Sequence, residues 1–282
     1  MGTSIIAAVA ITGVISILLG VLIGVVSKIF AIPVDSRVEL VLSLLPGANC
    51  GGCGKAGCAD FAQAVVAGEL PPGGCPVNSS EQITQIAQSL GIEAGGTPSL
   101  VAVVLCGGDV HQMKQPTYYN GVSDCVSAQL IGGGPKGCAH GCLGMASCAR
   151  ACPFGAIEMV NNLAVVHREL CVGCGACVAT CPRGLVKLVA VAAEVHVYCS
   201  SPEKANVKRS VCQVPCIACR KCVKAADEGQ FELIGFRAQV DYAHDPLPDA
   251  GVVERADCPT GCLLTEAQHL EIERGEGKKE AV

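Results

Sequence analysis

"CVGCGACVATCPRG", residues 171–184, sets Cys171, Cys174, Cys177 and Cys181 in the pattern C-x2-C-x2-C-x3-C and follows the last with proline. On its N-terminal side, "CAHGCLGMASCARACPFG" (138–155) ends in the same Cys-Pro step. Its cysteines, Cys138, Cys142, Cys148 and Cys152, stand at looser spacings of x3, x5 and x3. Between the runs, "AIEMVNNLAVV" (156–166) reads as two apolar strands about an Asn-Asn turn, a hairpin signal. "GLVKLV" (184–189) repeats the strand that follows "CPFG". The segment is thus an internal repeat, each half a cysteine run followed by a strand.

The chain holds 21 cysteines in 282 residues. An odd number, at spacings of two, suits metal ligation in a reducing cytosol better than a disulfide scaffold. The 171–181 spacing is the bacterial ferredoxin ligand pattern for a 4Fe–4S cluster, in which the fourth cysteine of each run serves the neighbouring cluster. One cluster is therefore expected on Cys171, Cys174, Cys177 and Cys152. The other is expected on Cys138, Cys142, Cys148 and Cys181. Structural zinc also takes four thiolates, but the crossed pattern belongs to iron–sulfur chemistry. The looser first run puts its local loop shape in question.

Further thiols form smaller modules. "PGANCGGCGKAGCADFAQAVVAGELPPGGCP" (46–76) offers Cys50, Cys53, Cys58 and Cys75, with a short helix ending at Gly68 and zinc as the alternative occupant. Glycines crowd these ligands, which lets backbone N–H groups approach sulfur. Residues 77–98 read as a connector with a helix that Ser80 caps, that carries Ile83, Ile86, Ala87 and Leu90, and that ends at Gly91. "CIACRKC" (216–222) supplies Cys216, Cys219 and Cys222, but Ala226 stands where a fourth cysteine would be. The hairpin "FELIGFRAQVDY" follows, and Cys258 before Pro259 is the expected fourth ligand of a single cluster, with Cys262 a substitute or a free thiol. Cys106, Cys125, Cys199 and Cys212 bracket the double module, two on each side, and are expected to share a fifth cluster.

From Ser4 to Ser27 the chain carries no charge. A helix of that length covers roughly 36 Å, enough to cross a bilayer core. A secretory signal would need a basic start and a small-residue cleavage site, and neither is clear. Lys28 and Arg37 follow the span and no Lys or Arg precedes it, so the remainder is expected in the cytoplasm. Thr12, Ser16, Gly20 and Gly24 form a small-residue stripe suited to another helix. The expected fold class is α+β. Its parts are an anchor (1–30), a four-cysteine module (35–76), the connector (77–98), a two-cluster ferredoxin-like domain with flanking cysteines (99–200), a third ferredoxin-like module (201–265) and a polar tail (266–282). A net charge of −5 argues against nucleic acid as a partner. No Ser-His-Asp arrangement or paired-carboxylate motif emerges. "GGGPKG" (132–137) fits a dinucleotide fingerprint literally but holds Pro135 and runs into Cys138, so it is rejected. The chain reads as an electron wire with no catalytic residues and no NAD site of its own.

The order of anchor, "NCGGCGKAGC…GGCP" module and ferredoxin pair resembles the B subunit of the Rnf complex, the ion-translocating ferredoxin–NAD oxidoreductase of bacterial membranes. The third module and the bracketing cysteines resemble its longer form. The resemblance implies a single-pass protein of the bacterial cytoplasmic membrane, with its soluble domains on the cytoplasmic side. It implies electrons taken from soluble ferredoxin and relayed through 4Fe–4S clusters to other subunits, which carry flavin, bind NAD and move Na+ or H+. Related complexes that reduce a redox-sensing transcription factor, a membrane terminal reductase, and a membrane-tethered zinc-binding interaction protein stand as alternatives. Lys204, Lys208, Arg209, Arg220, Lys221 and Lys224 lie in one stretch without Asp or Glu, a positive patch expected to meet an acidic ferredoxin.

Overall fold

A computed structural model of the chain describes residues 2–29, 35–96 and 99–274. The uncharged N-terminal segment is one helix, α1 (Gly2–Ile29). Among the described residues it is the one helix long and apolar enough to cross a membrane. A Cβ added at Gly20 or Gly24, on the small-residue stripe, would meet nothing within 4 Å beyond its own helix.

Three helices build the first soluble module: α2 (Ser36–Leu44), α3 (Cys58–Val66) and α4 (Ser80–Leu90). Their apolar faces close over Val41, Phe61, Val65 and Ile86, each at most 1% exposed. Asp35 caps α2 by accepting the Arg37 N–H at 2.9 Å. α4 is capped one residue earlier than expected. Ser79 and Gln82 exchange the two hydrogen bonds of a capping box, at 3.2 and 3.0 Å, and left-handed Gly91 ends the helix.

The cysteine-rich repeat folds as β1 (Leu100–Val104), α5 (Cys125–Ile131), α6 (Ser147–Arg150), β2 (Ile157–Val160), β3 (Leu163–Val166), α7 (Ala176–Thr180) and β4 (Val186–Ala190). β2 and β3 form the expected hairpin, Ile157 opposite Val166. Asn161 and Asn162 both take positive φ (48° and 58°), as a two-residue hairpin turn demands. β4 pairs with β1 antiparallel, Val104 opposite Val186, and so closes the unit. The thiols of Cys142, Cys148 and Cys177 sit inside its core beside Leu163 and Leu185.

A second unit repeats this plan: β5 (Val195–Val197), α8 (Ala205–Val211), α9 (Lys221–Ala225), β6 (Phe231–Ile234), β7 (Arg237–Val240), α10 (Gly251–Ala256) and β8 (Leu263–Thr265). A strand leads into a cysteine run, a short helix and a hairpin. A second short helix and a Cys-Pro step return the chain to a strand antiparallel to the first, Val197 opposite Leu263. α10 stands where α7 stands in the first unit but carries no cysteine. Because β5 pairs with β8, the second unit takes in residues 195–197, which the expected boundary near 200 leaves in the first.

The expected polar tail is structured over its first part. α11 (Glu266–Arg274) follows β8 directly. Glu266 pairs with Arg168 of the first unit, and His269 is buried with its ring stacked on Tyr198 at 3.8 Å. Residues 275–282 lie outside the described residues. The two units are also tied by backbone: Lys114 N–H donates to the Val211 carbonyl at 2.9 Å, and Gln213 N–H to that of Gln112 at 2.8 Å.

Candidate metal centres

All 21 cysteines are free thiols in the structure. Among the described residues no three His, Cys, Asp or Glu side chains converge tightly enough to hold a single ion. Thiols of the two ferredoxin-like units surround cavities instead, the arrangement a cluster of several atoms requires.

The first cavity of the ferredoxin pair is lined by Cys152, Cys171, Cys174 and Cys177, with Ile157 and Leu188 beside them. These are the four thiols brought together by the crossing rule. The Ala102 N–H donates to the Cys171 sulfur at 3.3 Å and the Ala156 N–H to that of Cys152 at 3.4 Å.

The next cavity departs from expectation. Its thiols are Cys125, Cys142, Cys148 and Cys181, without Cys138. The backbone gives the reason. Two residues before Cys177 and Cys222 stand left-handed residues, Gly175 (φ 78°) and Arg220 (φ 64°); before Cys148 stands Ala146 (φ 59°). Two residues earlier the same conformation recurs at Gly173, Ala218 and Gly144. The three loops therefore align on the same pair of left-handed positions. Cys142 matches Cys171 and Cys216, and Met145 occupies the slot of Cys174 and Cys219. Cys125, at the start of α5, brings the missing thiol. It is held there by Ser147, whose Oγ accepts the Cys125 N–H at 2.8 Å and donates to Asp124 Oδ1 at 2.8 Å. Arg150 adds a bond to the Ser123 carbonyl at 2.7 Å. Counting back from Cys152-Pro153 places Met145 in a ligand slot, and that is the sequence signal for a thiol supplied from elsewhere.

Cys138, released from that set, turns to a third cavity of about 240 Å³ with Cys106, Cys199 and Cys212. The structure thus exchanges Cys125 and Cys138 between the two expected groups. Arg183 fixes the Cys138 loop by donating to the carbonyls of Cys138 (2.9 Å), Gly141 (2.6 Å) and Gly133 (2.9 Å). Two buried lysines flank the cavity. Lys136 Nζ donates to Gly108 and Asn162 carbonyls, and Lys208 Nζ to those of Ser201 and Phe236. Lys208 is 2% exposed and so leaves the expected surface patch. Its charge, like that of Lys136, faces the thiols: it favours the thiolates of Cys199 and Cys216, and Lys136 those of Cys106 and Cys212. His140 lines the same cavity.

In the second unit one cavity collects Cys216, Cys219, Cys222, Cys258 and also Cys262. The Ala238 N–H donates to Cys216 sulfur at 3.3 Å. In the helical module Cys53, Cys58 and buried Cys75 pack on one core, and Cys75 also feels the charge of Cys50. Asn49 Oδ1 accepts the Cys58 N–H at 2.9 Å.

Burial pushes several of these thiols up: Cys148 to about 12, and Cys177, Cys212 and Cys222 to about 11. Protonated thiols are what such cavities favour while no cation is present to offset the thiolate charge. Cys216 and Cys258 move the other way, to about 6 and about 4, chiefly because the Cys262 thiol donates to both. Thiol-lined cavities, N–H groups aimed at sulfur and buried ammonium groups fit an anionic iron–sulfur cluster. Such a cluster would supply one-electron transfer.

The fold and these cavities define a ferredoxin-like iron–sulfur protein. Residues 45–77 match the family described as "Putative Fe-S cluster", and residues 135–182 match the "4Fe-4S dicluster domain". The chain is 40% identical over 242 residues to the B subunit of the ion-translocating oxidoreductase complex of Methanosarcina acetivorans, covering 86% of this chain and 92% of that protein. It is 36% identical to the B subunit of the proton-translocating ferredoxin:NAD(+) oxidoreductase complex of Clostridium ljungdahlii, covering 95% and 94%. With the B subunit of the Na(+)-translocating ferredoxin:NAD(+) oxidoreductase complex of Acetobacterium woodii the identity is 38%, covering 95% and 80%. The chain belongs to this family, the B subunits of ion-translocating oxidoreductase, or Rnf, complexes. It is an iron–sulfur electron-transfer subunit of an oxidoreductase complex.

Proposed function

We propose that this chain, anchored by α1 with its soluble part in the cytoplasm, accepts electrons from reduced ferredoxin. It relays them through five 4Fe–4S clusters to other subunits of an ion-translocating complex. The ligand sets are Cys50, Cys53, Cys58 and Cys75; Cys152, Cys171, Cys174 and Cys177; Cys125, Cys142, Cys148 and Cys181; Cys106, Cys138, Cys199 and Cys212; and Cys216, Cys219, Cys222 and Cys258.

The observation that carries this reading is the contiguity of the thiol sets. Gly52 lies so close to Cys174 that a Cβ there would stand 2.9 Å from its backbone. The next two sets share the crossed runs. The Cys142 N–H donates to the Cys106 sulfur at 3.3 Å, and the Cys216 backbone lies near enough to Cys199 to favour its thiolate. Each set so adjoins the next, from the helical module to the second unit. Cys219 is the exposed thiol of the chain, and Arg220 and Lys224 are exposed beside it. That end suits an acidic donor. The test is iron analysis of anaerobically prepared protein, followed by titration with reduced ferredoxin. About twenty Fe per chain, reducible by ferredoxin, is the expected result. About eight Fe, or colourless zinc-loaded protein, would refute the reading.

A further inference from the structure

We propose that Cys262 is a second, exchangeable ligand for the iron that Cys258 holds, so that the second unit's cluster has five thiols for four iron atoms. The inference rests on the reading of that cavity as a 4Fe–4S site.

Three Cys-Pro-x-Gly turns share one geometry. Cys152, Cys181 and Cys258 are each followed by proline and, three residues on, by a left-handed glycine: Gly155 (φ 63°), Gly184 (φ 59°) and Gly261 (φ 63°). Each glycine N–H returns to the carbonyl of its cysteine, at 3.5, 3.1 and 3.1 Å. The turns are the same device, and they place Cys258 where Cys152 and Cys181 stand. The residue after the glycine leads into the closing strand. In the first unit it is Ala156 or Leu185, whose N–H donates to the ligand sulfur at 3.4 or 3.5 Å and whose side chain is buried hydrocarbon. In the second unit that residue is Cys262, 4% exposed.

Hydrocarbon suffices for packing in the other two turns, so a thiol is not needed there to fill space. Its sulfur does not point away from the site. It lies 3.7 Å from Cys258 Sγ and lines the cavity with all four other thiols. The neighbouring cavities of the ferredoxin pair, and the one between the units, hold four thiols each. Two sulfurs 3.7 Å apart compete for one iron, because either can reach the corner that the other leaves. In the exchange the Fe–S bond to Cys258 breaks and the bond to Cys262 forms. The proton of the Cys262 thiol passes to Cys258 across the S···S contact. No electron moves and the total charge is unchanged. The ligand shifts from half-exposed Cys258 to buried Cys262.

The experiment uses the full chain, prepared anaerobically with its clusters, and reads iron content and EPR. The variants are Cys258→Ala, Cys262→Ala, the double variant, and Cys222→Ala as a ligand with no substitute. Each single variant at 258 or 262 is expected to keep the parent's iron. The double variant and Cys222→Ala are expected to lose about four Fe per chain. Iron in the remaining clusters reports that each variant has folded. Cys258→Ala protein that loses as much iron as Cys222→Ala, or gains the EPR signal of a three-iron cluster, overturns the proposal. Full iron in both the double variant and Cys222→Ala overturns the cluster reading beneath it, and the proposal with it.

Discussion

Met145 offers a direct test of how the thiols are grouped. Its loop has the conformation of the two loops in which Cys174 and Cys219 occupy the same slot. Gly144 (φ 79°) and Ala146 (φ 59°) match Gly173 and Gly175 (69° and 78°) on either side. Cys125→Ala removes one of four thiols from the cavity that also holds Cys142, Cys148 and Cys181. The expected loss is one cluster, about four Fe per chain. Adding Met145→Cys to Cys125→Ala restores the pattern C-x2-C-x2-C-x3-C from Cys142 to Cys152, and with it those four Fe. The readout is iron per chain in anaerobically reconstituted protein, with EPR of the reduced state to confirm a four-iron spectrum. Had Cys125 belonged with Cys106, Cys199 and Cys212, a thiol at position 145 would be in the wrong cavity. Cys125→Ala protein that stays four Fe short after Met145→Cys would therefore refute the regrouping.

Other outcomes follow from single contacts. Gly52→Val forces apart the backbones at Gly52 and Cys174, so magnetic coupling between the first two clusters should weaken in EPR while iron content holds; unchanged coupling would deny their adjacency. Arg220→Glu with Lys224→Glu should slow electron uptake from ferredoxin at low salt and little at 1 M, where the Debye length is about 3 Å; equal rates at low salt would exclude this face. Burial, then the nearby Arg168 charge, depresses His196 to about 4, and burial does the same for His269. Their ordinary value is near 6.5, so below it the unfolded chain takes up protons that the folded chain refuses. The associated stability is complete above pH 6.5 and is lost as pH falls toward 4, by about 2 kcal/mol for each at pH 5. His196→Phe should flatten this loss in denaturant midpoints taken at pH 7.5 and 5, and an unaltered slope would count against it.

Local chemistry made much of this fold legible. Asn161–Asn162 announced a two-residue hairpin, and the Cys-Pro steps announced the crossing of Cys152 and Cys181 between runs. What stayed hidden depends on closure between distant segments. Cys125 joins its cavity because Ser147 and Arg150 draw the start of α5 onto α6, and no local pattern encodes that. Lys208 reads as surface charge until the β6–β7 turn presents the Phe236 carbonyl to its Nζ at 2.7 Å. His269 sits in a polar stretch, yet the Tyr198 ring gives it a flat partner inside. In each case the residue type was plain and its surroundings were set by a segment tens of positions away.

The 240 Å³ cavity between the units has a consequence for how the protein is made. Cys106 and Cys138 come from the first unit, Cys199 and Cys212 from the second. Every other thiol set of the ferredoxin-like units lies within one unit. A ribosome can therefore finish the first unit, and iron can enter it, while this cavity still has half its walls. The site comes into being only once the second unit has emerged and docked. Its filling therefore follows the docking of the two units.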